Sequence, residues 1–167
     1  STYVLWAVTA DGRANNIGSI ETVNGLGSLE TSAALSQFAL IVSAEPHFAV
    51  TAPSKYLVLR NLGKRIRGKR VMIPGLTERL DYKNLARQKV DPKANYKVPA
   101  DLVQARYAVD IAIRAEADKY AAQEFGQART LLFKAEEAQV SKKSSIRKTV
   151  PLIARDAVQM GEDARRQ

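Results

Sequence analysis

Apolar residues recur at intervals of four and three along residues 100–167, and no other feature constrains the fold as strongly. Leu102, Ala105, Val109 and Ala112 make one such series; Ala121, Phe125, Ala128, Leu132 and Ala135 a second; Ile146, Val150, Ile153, Ala157, Met160 and Ala164 a third. Each spacing places a single stripe on one side of a helix, so three amphipathic helices are predicted to share a core. Pro99 suits a helix start, and Asp101 puts negative charge at the positive helix end. Asp118-Lys119-Tyr120 marks the first turn between helices and residues 140–145 the second, with Ser144 or Ser145 able to cap the third helix. Pro151 means that this helix either kinks there or starts near Thr149. The first helix carries a second apolar series, Val103, Tyr107 and Ile111, and two apolar faces imply two partners.

The N-terminal part follows a different period. Residues 3–8, Tyr-Val-Leu-Trp-Ala-Val, are apolar on both faces and predict a central strand with Trp6 in its core. Asp11-Gly12 and Asn24-Gly25 suit hairpin turns, and Gly25 and Gly27 are taken as turn residues. Further strands are predicted at 15–23, 26–31, 37–44 and 55–60, the fourth stopped by Glu45-Pro46. Short strands separated by turn signals suggest a small sandwich. Residues 61–98 are broken by Gly63, Gly68, Pro74, Gly75 and Pro92 and read as a connector. Val71-Met72-Ile73 is a possible strand there, and 76–85 a helical turn or two with Leu80 and Leu85 packing back on a domain. The fold class is therefore α+β: an antiparallel β-sandwich over 1–60, a basic irregular connector over 61–98, and a three-helix bundle over 99–167.

Two resemblances follow from these stretches. Tyr3-Val4-Leu5-Trp6-Ala7-Val8, Asp11-Gly12-Arg13, Asn16-Ile17-Gly18, Phe38-Ala39-Leu40 and Ala44-Glu45-Pro46 occur in an order that resembles the extracytoplasmic sandwich domain of anti-sigma-K-factor-like bacterial proteins. Ala117 to Ala128, with Ala154-Arg155-Asp156-Ala157-Val158-Gln159 and Glu162-Asp163-Ala164-Arg165, resembles the alanine-rich helical domain of exported bacterial envelope proteins. The resemblances imply an exported, non-catalytic protein of the periplasm, cell surface or extracellular space. In that light, a chain beginning at Ser1 is expected to be a mature product whose leader has been removed.

Chemistry-bearing motifs point the same way. The chain has no cysteine, so disulfides, thiolate metal sites and a Cys nucleophile are excluded. His47 is the only histidine and is expected in a loop at or near the surface. There is no Gly-x-Ser-x-Gly elbow and no phosphate loop. Glu136, Glu137, Glu162 and Asp163 lie within helical reach of Lys134, Arg165 and Arg166, and ion pairing is expected of them. No catalytic residue, cofactor, metal or small-molecule substrate is expected, and no run of apolar residues is long enough to span a membrane.

Charge is the remaining signal. The net charge is +9, and between Glu45 and Glu78 there is no acid, whereas Lys55, Arg60, Lys64, Arg65, Arg67, Lys69 and Arg70 fall there. Lys64, Arg65, Arg67, Lys69 and Arg70 form a candidate site for an anionic polymer, wall glycan or nucleic acid. Tyr3 and Leu5, on an apolar strand able to pair with a neighbour, and Tyr107 and Ile111, on the second helix face, are candidate subunit contacts. The expected function is that of a self-assembling homo-oligomer, with an open filament or tube among the forms it can take. The alternative is an envelope module that grips an anionic polymer through its connector.

Overall fold

The computed structural model describes residues 2–24, 26–61, 75–82 and 98–167. The chain divides into two compact units, Ser1–Lys83 and Asn84–Gln167. The first contains five strands, β1 (Thr2–Val8), β2 (Ala14–Val23), β3 (Leu26–Ser28), β4 (Ala39–Glu45) and β5 (Leu57–Arg60). They form one curled antiparallel sheet in the order β3-β2-β1-β4-β5. The apolar run of β1 explains its central place, because a strand buried on both faces must be flanked on both sides. At the β1–β2 turn Gly12 takes φ +86° and the Thr9 amide donates to the Arg13 carbonyl at 2.9 Å. A Cβ on Gly12 would come within 2.2 Å of the Gly75 carbonyl oxygen, so this glycine is required by space as well as by φ. Asn24, at φ +53°, turns β2 into β3, and Gly27 lies within β3 instead of in the turn.

Among the described residues the sheet is covered by irregular segments, and the five strands form one sheet. Val4, Trp6 and Val8 project from one face of β1, and Val50 completes the buried cluster with Ala14, Ile41, Leu76 and Tyr82 packed against it. Val50, Leu76 and Tyr82 all come from segments outside the five strands. Register shifts between Leu5 and Trp6 and between Val42 and Ser43 bend the sheet, as bulges do, so that irregular segments suffice to cover its concave side. Residues 75–82 contain no helical turn. The Thr77 amide donates to Gly12 O at 3.0 Å, the Leu80 amide donates to Pro53 O at 3.0 Å, and Leu80 forms a parallel bridge with Ser54. The possible strand at 71–73 and Leu85 lie outside the described residues.

The second unit holds three long helices, α1 (Ala100–Arg114), α3 (Ala122–Gln139) and α5 (Val150–Arg166), with single turns α2 (Ala117–Tyr120) and α4 (Ser144–Arg147) between them. Most of the predicted stripe positions are buried: Leu102, Ala105, Val109, Ala112, Ala121, Phe125, Ala128, Ala135, Val150, Ala157 and Ala164 are inside, while Leu132, Ile153 and Met160 are half-buried. Ile146 falls off its stripe onto exposed α4, because the third long helix begins after Thr149 with Pro151 in its first turn. Ser144 opens α4, and neither α4 nor α5 has a side-chain cap. Glu116, at φ +58°, ends the α1 region and redirects the chain. α5 packs against both α1 and α3. At the α1–α5 crossing a Cβ on Gly161 would lie 3.1 Å from the Ala108 Cβ and 3.2 Å from its carbonyl carbon, so the two backbones approach closely.

Candidate functional site

The only chain of buried polar side chains linked by hydrogen bonds among the described residues lies in the sheet unit. Alternation along β4 puts Ile41, Ser43 and Glu45 on the face that carries Trp6. Trp6 Nε1 donates to Ser43 Oγ at 2.7 Å, and the Ser43 hydroxyl in turn donates to Glu45 Oε1. The Ser54 amide donates to the same oxygen at 2.7 Å. Around this point Ser54 Oγ donates to Ala44 O, the Tyr56 amide donates to Ser54 Oγ, and the Ala44 amide donates to Tyr56 O. One carboxyl group thus fastens residues 54–56, which lead into β5, to the end of β4.

Glu45 is 2% exposed, and among the described residues it makes no ion pair and its Oε2 has no hydrogen-bond partner. Burial pushes its carboxyl above the usual carboxylate range, with the bonds from Ser43 and Ser54 pulling less strongly the other way. His47, expected on the surface or half-buried in a loop, is fully buried two residues on, in the bend that follows β4. The arrangement can hold or release a proton. Sequence reasoning passed over Ser43 and Glu45. Their signal was two polar residues at i and i+2 within an otherwise apolar strand, both on the tryptophan face.

The predicted contact residues fall in both units. Tyr3 and Leu5 are half-buried on the opposite face of β1. β1 is hydrogen-bonded to β2 on one side and to β4 along its whole length on the other, so it has no free edge for a neighbouring strand. Tyr107 is half-buried, whereas Ile111 is only 7% exposed. Lys64, Arg65, Arg67, Lys69 and Arg70 lie outside the described residues. The helix acids are engaged locally: Glu136 accepts from Arg106 at 3.0 Å, and Glu162, 1% exposed, takes a two-pronged bond from Arg165 at 2.8 Å. Asp163 accepts from Gln159.

The strand predicted at 55–60 is present as β5, but its exposure was missed. It closes one side of the sheet, and all four of its residues are exposed, as is Tyr56 before it; Leu59 reaches 65%. Among the described residues no group of three or more acidic or histidine side chains could hold a metal ion, and no helix is long and apolar enough to cross a membrane. No family model, curated protein or solved structure matches the chain.

Proposed function

We propose that this is a non-catalytic, exported structural or interaction protein whose activity is association with further copies of itself. The reading takes the curled sheet with its covering segments as a sandwich-like module and the three long helices as a bundle, both of the envelope type that the sequence resembles. The observation that carries it is the outer strand β5, which presents Tyr56, Leu57, Val58 and Leu59 in succession to solvent. An exposed apolar strand at a sheet edge is a template for intermolecular pairing. Two β5 strands meeting antiparallel about the middle of the segment would set Val58 against Leu59 and Arg60 against Leu57, so the cations need not face each other. If the rotation between copies does not close a ring, the same contact propagates into a filament. Burial of the only carboxyl group in the polar chain supports a structural role over a catalytic one.

Light scattering and electron microscopy of the chain and of its Val58→Lys variant test this. Assembly in the parent chain that disappears in the variant, at unchanged stability, is the expected outcome; a monomer at every concentration overturns it. A second reading is favoured by the acid-free stretch between Glu45 and Glu78. It holds that the main activity is binding an anionic polymer through Lys64, Arg65, Arg67, Lys69 and Arg70. Such binding weakens steeply with salt, whereas apolar self-association does not. Loss of the main activity on replacing Arg65, Arg67, Lys69 and Arg70 by Ser, with assembly intact, would establish it.

A further inference from the structure

We propose that Trp6, Ser43, Glu45 and Ser54 form a proton-operated latch, closed while the Glu45 carboxyl is neutral and loosened when it gives its proton to water. The geometry is a cluster, not a single group. Glu45 Oε1 accepts from both Ser43 and Ser54 and so joins β4 to the segment that enters β5, while Trp6 completes the line from the central strand.

Neutral and ionised Glu45 differ sharply in what the site can tolerate. Two donors satisfy Oε1, but among the described residues Oε2 has no hydrogen-bond partner and the carboxyl makes no ion pair. A bare hydroxyl in such a place costs little beside a bare charge. The other titratable or charged groups described on the surrounding elements lie mostly at the surface. His47 is buried on the segment that follows β4; Lys55, Tyr56, Arg60, Glu78, Arg79 and Asp81 are exposed; Tyr82 is half-buried. β1 supplies no charged residue, and its one titratable group, Tyr3, is on the far face. Solvent is therefore the means by which a Glu45 carboxylate gains stabilisation. Reaching it requires the 54–56 segment to lift from Ala44, which exposes Ser54 and Tyr56 amides and frees the start of β5.

The sign follows from burial. A carboxyl that holds its proton more tightly when folded makes the native state bind more protons than the unfolded chain between the two titration points. Stability then falls as pH rises across that interval and is fully retained only below it. This inference does not depend on self-association, since every readout below comes from one chain.

The test uses the full chain with the Glu45 carboxyl carbon followed by NMR from acid to mildly alkaline pH. Trp6 fluorescence and amide exchange at Ser54 and Tyr56 are read in parallel; Trp6 is the sole tryptophan, so its emission reports this site alone. The expected result is a Glu45 midpoint above the ordinary carboxyl range, with the fluorescence change and the rise in amide exchange sharing it. In Glu45→Gln the fluorescence transition vanishes, and at the alkaline end Ser54 and Tyr56 exchange several-fold more slowly than in the parent. Titration of Glu45 within the ordinary range in the parent chain overturns the latch whether or not that variant folds. So does a fluorescence transition that survives in Glu45→Gln and disappears in His47→Gln, which would assign the proton to the histidine.

Discussion

The sheet unit and the helical unit solve the problem of a defined interior in opposite ways. Around β1 the interior is built from large side chains and directional bonds: Trp6 is fully buried, and its indole nitrogen is tied through Ser43 to Glu45. Between α1 and α5 it is built from closeness. Ala105, Ala108 and Ala112 meet a helix bearing Ala154, Ala157, Gly161 and Ala164, and almost nothing there can form a bond other than by contact. A hydrogen-bonded core specifies by geometry and fails through stranded polar atoms, whereas a small-residue core specifies by distance and fails through volume. Tryptophan emission reads only the first kind of interior here, and helical circular dichroism reads chiefly the second, so the two can be broken separately.

The largest expected effect is that of Trp6→Ala, which empties the centre of the sheet and leaves Ser43 without its donor. It should cost about 4 kcal/mol. Urea unfolding followed by amide exchange of β1 and β4 should show it while the helical signal at 222 nm is retained; simultaneous loss of both would mean the units are not independent. Gly161→Leu should cost about 3 kcal/mol in the helical transition, because the added side chain points at the Ala108 backbone. Trp6 emission should not change, and a shifted tryptophan transition would contradict the separation just drawn. Arg165→Ala sharpens the contrast by striking a buried polar contact of the helical unit. It removes the two-pronged bond to Glu162, which is 1% exposed, and about 2 kcal/mol should be lost, less than for a wholly buried pair because Arg165 reaches solvent. The smallest effect belongs to the surface: Val58→Lys on β5 should alter unfolding by less than about 0.5 kcal/mol and change only the association state.

What could be read from the sequence follows the same division. The helical stripes were largely legible, since period 3.6 leaves a repeated mark and most striped positions are buried, although Ala108, Ala154 and Val158 are buried beside them. Five strands and the centrality of β1 were legible too, from β-branched and aromatic runs punctuated by Asp11-Gly12 and Asn24-Gly25. How the sheet would be covered was not. Val50, Leu76 and Tyr82 come from irregular segments with no period, and the bulges that bend the strands toward them follow from backbone geometry. The polar chain was hidden because Ser43 and Glu45 matter only in relation to Trp6, which is remote along the chain and adjacent only once β1 and β4 are in register. His47 was misjudged for a related reason: a loop residue after a proline carries no sequence mark of whether its loop turns out or in. On α1, the second apolar series is unevenly buried: Ile111 is inside, while Val103 and Tyr107 are half-buried.

The pairing of β1 with β4 also bears on how the sheet comes together. β2 can fold against β1 at once through a short turn, but β4 closes a long excursion that matches Thr2 with Glu45 and Val8 with Ala39, and this loop closure is slow compared with a hairpin. During that wait β1 has a bare side on which an apolar strand could settle one residue out of place. A slip of one residue would turn Ser43 and Glu45 to the opposite face, away from the indole N–H. The buried polar chain thus acts as a proofreader of strand alignment, penalising near-miss pairings that an all-aliphatic β4 would tolerate.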